Sequence, residues 1–235
     1  ALADAAALLP APDSLDDAEA AALHIGYQTG WFGLHRRAHL EAGETLLVHA
    51  AAGGVGSAAV QLGKAAGATV IGVVGGADKA AVARDLGCDV VIDRKSQDVI
   101  AAVKEATGGR GADVIYDPVG GEAYTQSTKV VAFEGRIVVV GFASGTIPSP
   151  GLNHALVKNY AILGLHWGLY GTKNPKLIQH CHEQLTDLAA RGAIKPLVSE
   201  RVALDGAAAA VQRVGDGVTT GRVAVVPSLA NGAAA

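Results

Sequence analysis

The chain has 235 residues, of which 50% are hydrophobic, 17% charged and 4% aromatic, with a formal net charge of −3. That is enough chain for one good core and a small second unit, and the charge balance gives no electrostatic support to a nucleic-acid or membrane-surface role. No apolar run reaches membrane-spanning length, ALADAAALLPAP lacks the basic region of a secretory signal, and Cys88 and Cys181 do not make a disulfide framework, so a reducing cytoplasm is the expected setting.

In chain order, residues 10–30 read as a loop and then helix, with Ser14 and Asp17 spaced as a capping box ahead of AEAAAL. GLHRRAHL reads as helix and puts His35 and His39 at i, i+4. From residue 45 the pattern becomes regular. Apolar, β-branched runs at 45–51, 68–74, 89–92, 112–117, 136–142 and 160–166 read as buried strands. Helical spacing fills 55–66, 77–86, 97–106, 121–131 and 152–158 between them. Strands apolar on both faces and alternating with helices mean a parallel sheet covered on both sides. The expected fold class is therefore α/β, a doubly wound six-stranded parallel Rossmann sheet of order 3-2-1-4-5-6. A helical stretch at 173–191, LVSERVAL, a short helix near 206–214 and a strand at 222–227 follow, and the tail SLANGAAA is expected to fray. No repeat or linker interrupts the chain.

The segment LLVHAAAGGVGSAAVQLGKAAGATVIGVV carries most of the chemistry. A strand runs into a glycine turn that opens a helix, and the helix returns to a second strand. The dinucleotide fingerprint G-x-G-x-x-G stands here as Ala51-x-Gly53-x-x-Gly56. Gly53 lets backbone approach a pyrophosphate, Gly56 lets helix and strand pack closely, and the helix N-terminus offers free N–H groups to phosphate. The match is weak alone and becomes strong between the first two strands of a βαβ unit followed by four more strands. An NAD site puts an acid at the end of the second strand, on the ribose 2′-hydroxyl. This chain has Val74-Gly75-Gly76 there; Asp78 lies beyond, and Lys79 and Arg94 lie nearby. Small residues and cations suit a 2′-phosphate, so NADPH is the expected cofactor. The missing acid also counts against a methyltransferase using S-adenosylmethionine.

HAAAGGVGSAAVQLGKAAGATVIG, DVIYDPVGGEAY, GRIVVVGFASG and KNYAILGLHWG together resemble the zinc-independent quinone oxidoreductase branch of the medium-chain dehydrogenase/reductase family, from about Leu15 to Pro227. The resemblance implies that the chain is the rear part of such an enzyme. Residues 1–30 and 169–235 would then belong to the catalytic half, with a dinucleotide-binding domain at 31–168. It places Gly53, Gly54 and Val55 at the diphosphate turn, with Gly75, Lys79 and Arg94 around the 2′-phosphate. Phe142, Ala143 and Ser144 fall at the nicotinamide end, and Thr29 near the carboxamide. Arg94 stands where many relatives have tyrosine, and Gly217 where some have a basic residue. The family also pairs its edge strand across a twofold axis, which implies a homodimer through residues 158–168.

Other constellations carry less. His35 and His39 lack a third ligand, and His180, Cys181 and His182 splay around a helix, so no metal site is expected. Neither Y-x-x-x-K nor G-x-S-x-G occurs, which removes short-chain dehydrogenase and serine hydrolase chemistry. Asp117 is either near the cofactor or a strand-end turn residue. The expected activity is hydride transfer from NADPH to a quinone or conjugated enone, with no catalytic residue identified. The alternatives are reduction of a 2-enoyl thioester and a non-catalytic dinucleotide-binding module. With no methionine in the chain, Ala1 follows either a removed initiator or a cut in a longer chain.

Overall fold

The computed structural model describes residues 8–228; most of the tail SLANGAAA lies outside them. Helix α1 (Asp17–Trp31) leads into a π-helix (Phe32–Arg37). The sheet and its connections follow as β1 (Thr45–His49), α2 (Gly54–Ala65), β2 (Thr69–Val74), α3 (Ala77–Asp85), β3 (Val90–Asp93), α4 (Val99–Ala106), β4 (Ala112–Asp117), α5 (Gly121–Val130), β5 (Val131–Val139), α6 (Leu152–Lys158) and β6 (Ala161–Gly164). Then come α7 (Gly168–Lys173), α8 (Pro175–Ala190), β7 (Val198–Val202), a 3₁₀ turn, α9 (Ala207–Gly215) and β8 (Arg222–Val225). No helix among the described residues is long and apolar enough to cross a membrane.

The large sheet has the expected order, β3-β2-β1-β4-β5-β6, and every pairing is parallel. All five residues of β1 are buried, because helices cover both of its faces. Alternate side chains feed two cores. One collects Leu46, Val48 and Tyr116 with Leu23 of α1, Leu62 of α2 and Leu185 of α8. The other collects Leu47, Ile71, Ile115 and Ile137 with Val103 of α4 and Tyr124 of α5. β7 and β8 form a separate two-stranded parallel sheet.

Three local expectations are corrected. The capping box of α1 is Asp16 with Glu19, not Ser14 with Asp17: the Glu19 N–H donates to Asp16 Oδ1 at 2.8 Å, and the Asp16 N–H donates back to Glu19 Oε2 at 3.2 Å. Both pairs fit the x-x spacing, and the one whose backbone ends the loop wins. β5 begins at Val131 rather than 136, entering through a bulge against Ala112–Val114 with Glu134 at φ +58°. His39 lies beyond the π-helix at φ +50°, so it does not share a helix face with His35.

Candidate functional site

The chain turns sharply after β1. Ala50 takes φ +51°, and the Gly53 N–H closes the turn on the Ala50 carbonyl at 2.8 Å. Gly53 is the N-cap of α2 in extended backbone and supplies no side-chain cap, so the first N–H groups of α2 are left for another acceptor. Gly56 is sterically obligatory. A Cβ there would stand 2.1 Å from the Ala50 oxygen, which is the close helix–strand approach expected of it.

A cleft of about 630 Å³ opens at the carboxyl ends of the strands, where the strand order reverses between β1 and β4. Six of the ten residues proposed from sequence line it: Gly53, Gly75, Lys79, Arg94, Ala143 and Ser144. The Arg94 guanidinium lies against Gly75, where an added Cβ would be 3.0 Å from Nη2. The Lys79 ammonium donates to the Gly217 carbonyl. Burial, and then the neighbouring Lys95 and Arg94 charges, lower the Lys79 pKa from its ordinary value. Such a cluster of cations favours an anion between them. Asp93 accepts from the N–H groups of Gly76 at 2.8 Å and Lys95 at 3.0 Å, and Glu122 also lines the cleft. Asp78 sits in the first turn of α3.

The other four proposed residues sit differently. Thr29 is buried in α1 and its hydroxyl donates to the Ile25 carbonyl at 2.6 Å. Gly54 and Val55 form the first turn of α2, with Gly54 facing Arg222. Phe142 is half exposed and packs over Gly120. Asp117 proves to be a turn residue: its Oδ1 accepts from Val119 at 2.8 Å and Gly120 at 2.9 Å, fixing two residues of the cleft wall.

Sequence reasoning missed Arg222 and His49. The Arg222 side chain rests against Gly54, whose Cβ would be 2.5 Å from Nε, and against Gly26 of α1. It has no carboxylate partner among the described residues, and burial lowers its pKa. Its only sequence signal is a charge opening an otherwise apolar strand. His49 ends β1 and lines the cleft. Its Nε2 is 2.9 Å from Ser127 Oγ, and Ser127 donates to the Ala123 carbonyl at 2.7 Å, so the imidazole donates to the serine. Burial lowers the His49 pKa, with the Asp117 charge opposing.

A second cleft of about 690 Å³ lies beside α5. It has neither the glycine turn nor the Lys79–Arg94 pair, so the phosphate-binding chemistry belongs to the first. Among the described residues, no group of three or more His, Cys, Asp or Glu side chains is placed to hold a metal ion.

Comparison with known proteins agrees with this geometry. Residues 54–183 match the family model described as zinc-binding dehydrogenase. A quinone oxidoreductase-like protein 2 homolog of Nematostella vectensis is 38% identical over 93% of this chain, and the chain spans 60% of that relative's length. The quinone oxidoreductase of Pseudomonas aeruginosa is 35% identical over 94% of this chain and 68% of its own length. The crystal structure of Escherichia coli quinone oxidoreductase complexed with NADPH superposes with a TM-score of 0.85 at 31% identity, covering 94% of this chain and 68% of that one. The strand order, the glycine turn and these matches agree: the chain belongs to the medium-chain dehydrogenase/reductase family, as a cofactor-binding domain of its zinc-independent, quinone oxidoreductase-like branch.

Proposed function

We propose that this domain binds NADPH across the switch-point cleft and holds it for hydride transfer to a quinone or conjugated enone. The observation that carries the reading is the placement of Lys79 and Arg94 at the end of β2, in the same cleft as the Gly53 turn, where the Asp93 carboxylate is taken up by the Gly76 and Lys95 N–H groups. The residues fit the cofactor in three places. The uncapped N-terminus of α2 takes the diphosphate, with Arg222 supplying a charge beside Gly54. Lys79 and Arg94 take the 2′-phosphate as charge-assisted donors. Ala143 and Ser144, beyond the end of β5, take the nicotinamide end.

NADPH, when bound, supplies the hydride. The chain contributes position and charge: the turn fixes the diphosphate, and the cations select the phosphorylated ribose. In this reading residues 31–168 form the dinucleotide-binding domain, and the flanking 1–30 and 169–235 belong to the catalytic half. Assays with quinones, enones and 2-enoyl thioesters identify the acceptor.

The cofactor test is direct. Lys79→Ala and Arg94→Ala should each weaken NADPH binding at least tenfold while hardly changing NADH, because a charge-assisted hydrogen bond contributes about 1.5–3 kcal/mol. Gly75→Asp, with its carboxylate against Arg94, should reverse the preference. Fluorescence titration of both cofactors at moderate salt reads the result. Equal affinity of the wild type for NADPH and NADH would defeat the assignment.

A further inference from the structure

The stretch from Asp216 to Arg222 runs along the proposed nucleotide site at three points. Gly217 meets Lys79 at one end, the Gly221 N–H donates to the Ala52 carbonyl at 2.8 Å, and Arg222 reaches Gly54 at the other. Gly217 lines the cleft itself and takes φ +68° just past the end of α9. A Cβ at Gly217 would meet nothing within 4 Å. Space therefore does not demand glycine at this position; only the left-handed backbone does. That backbone sets the direction of the carbonyl which receives the Lys79 ammonium.

We propose that Gly217 is a positioning residue for recognition of the 2′-phosphate: its carbonyl holds the Lys79 ammonium at the cleft, so the phosphate meets a cation already in place. This rests on the NADPH reading above. An ammonium has three donors, so one can stay on Gly217 while the others turn to phosphate oxygens. A lysine free to sample its rotamers would lose that freedom on binding, and the carbonyl removes the loss in advance. Burial, and then the Lys95 and Arg94 charges, disfavour the protonated form of Lys79, and the Gly217 carbonyl gives that ammonium an acceptor. A neutral backbone oxygen does this without the repulsion that a carboxylate would exert on phosphate.

Two substitutions separate backbone conformation from bulk. Gly217→Val disfavours the left-handed conformation strongly, whereas Gly217→Asn tolerates it. Adenosine 2′,5′-bisphosphate and adenosine 5′-monophosphate serve as probes, their dissociation constants measured by calorimetry without turnover. The expected result is that Gly217→Val weakens the bisphosphate about fivefold or more and leaves the monophosphate unchanged, while Gly217→Asn keeps the wild-type ratio. In a Lys79→Ala background, Gly217→Val should have no further effect. The proposal is overturned if valine and asparagine act alike, if the valine effect persists without Lys79, or if the monophosphate weakens equally. Failure of the NADPH reading shows separately, as a wild type that does not distinguish the two probes.

Discussion

Arg222 brings a guanidinium to the N-terminal turn of α2, where the helix dipole is already positive. A cation in that place without a carboxylate partner is stabilised by an anion shared between the two. Arg222→Gln is therefore expected to weaken NADPH and NADH binding by a similar factor, roughly tenfold, since both carry the diphosphate. This contrasts with Lys79→Ala, which should affect NADPH alone, and one titration series distinguishes the two roles. His49 makes a pH prediction. Burial depresses its folded pKa below the ordinary 6.5, so the unfolded chain takes up the proton first as pH falls. Stability from this group is complete well above pH 6.5 and is lost as pH drops through 6.5 toward the folded value. His49→Gln should flatten the fall in thermal midpoint between pH 7.5 and 5.5; an unchanged slope would remove His49 from the account. Burial shifts His24 and His35 the same way, so a residual slope is expected.

The glycine turn and the α1 cap are the elements where a single atom decides most. Gly56→Ala would drive its Cβ into the Ala50 carbonyl and separate α2 from β1. Overpacking of this kind costs about 1–3 kcal/mol, which in a domain of this size lowers the melting temperature by roughly 3–10 °C. Dinucleotide binding should be lost as well, because the same shift moves the uncapped N–H groups. Asp16→Ala removes the side-chain half of the capping box at a cost of about 1 kcal/mol, without effect on dinucleotide binding. Thermal melts of both variants, with and without NADPH, would show whether turn and cap are as separate as the structure makes them.

At the scale of the whole molecule, β6 ends the sheet and presents an unpaired edge. The helix that leads into it, α6, leaves Leu152, Leu156 and Val157 about 77% exposed, a group of apolar side chains open to a partner. We propose a homodimer that pairs this edge across a twofold axis through residues 158–168, extending the sheet. Light scattering should give twice the chain mass at tens of micromolar, and Leu156→Glu should lower it toward one chain. A single-chain mass for the unaltered protein would count against the interface.

Much of this protein is legible from its sequence because the signals are local. Strands buried on both faces, the helices between them and the turn from Ala50 to Gly56 each depend on neighbours within one βαβ unit. They predict the sheet order and place Gly53, Gly75, Lys79 and Arg94 together, whereas Ala143 and Ser144 are assigned to the cleft only by the family resemblance. The run Val74-Gly75-Gly76, with no acid in it, is equally local, and so is the expectation of a 2′-phosphate. What only the tertiary structure decides are contacts between distant segments. Lys79 meets the Gly217 carbonyl across 138 residues, and Arg222 meets Gly54 because β8 runs beside the glycine turn, where Gly221 bridges Gly53. Neither pair has a spacing or periodicity that marks it, since loop closure and the packing of α9, not neighbouring sequence, bring them together. Asp16 and His39 differ for a local reason: Ser14-x-x-Asp17 and Asp16-x-x-Glu19 fit the capping spacing equally well, and the helix after Trp31 ends before His39.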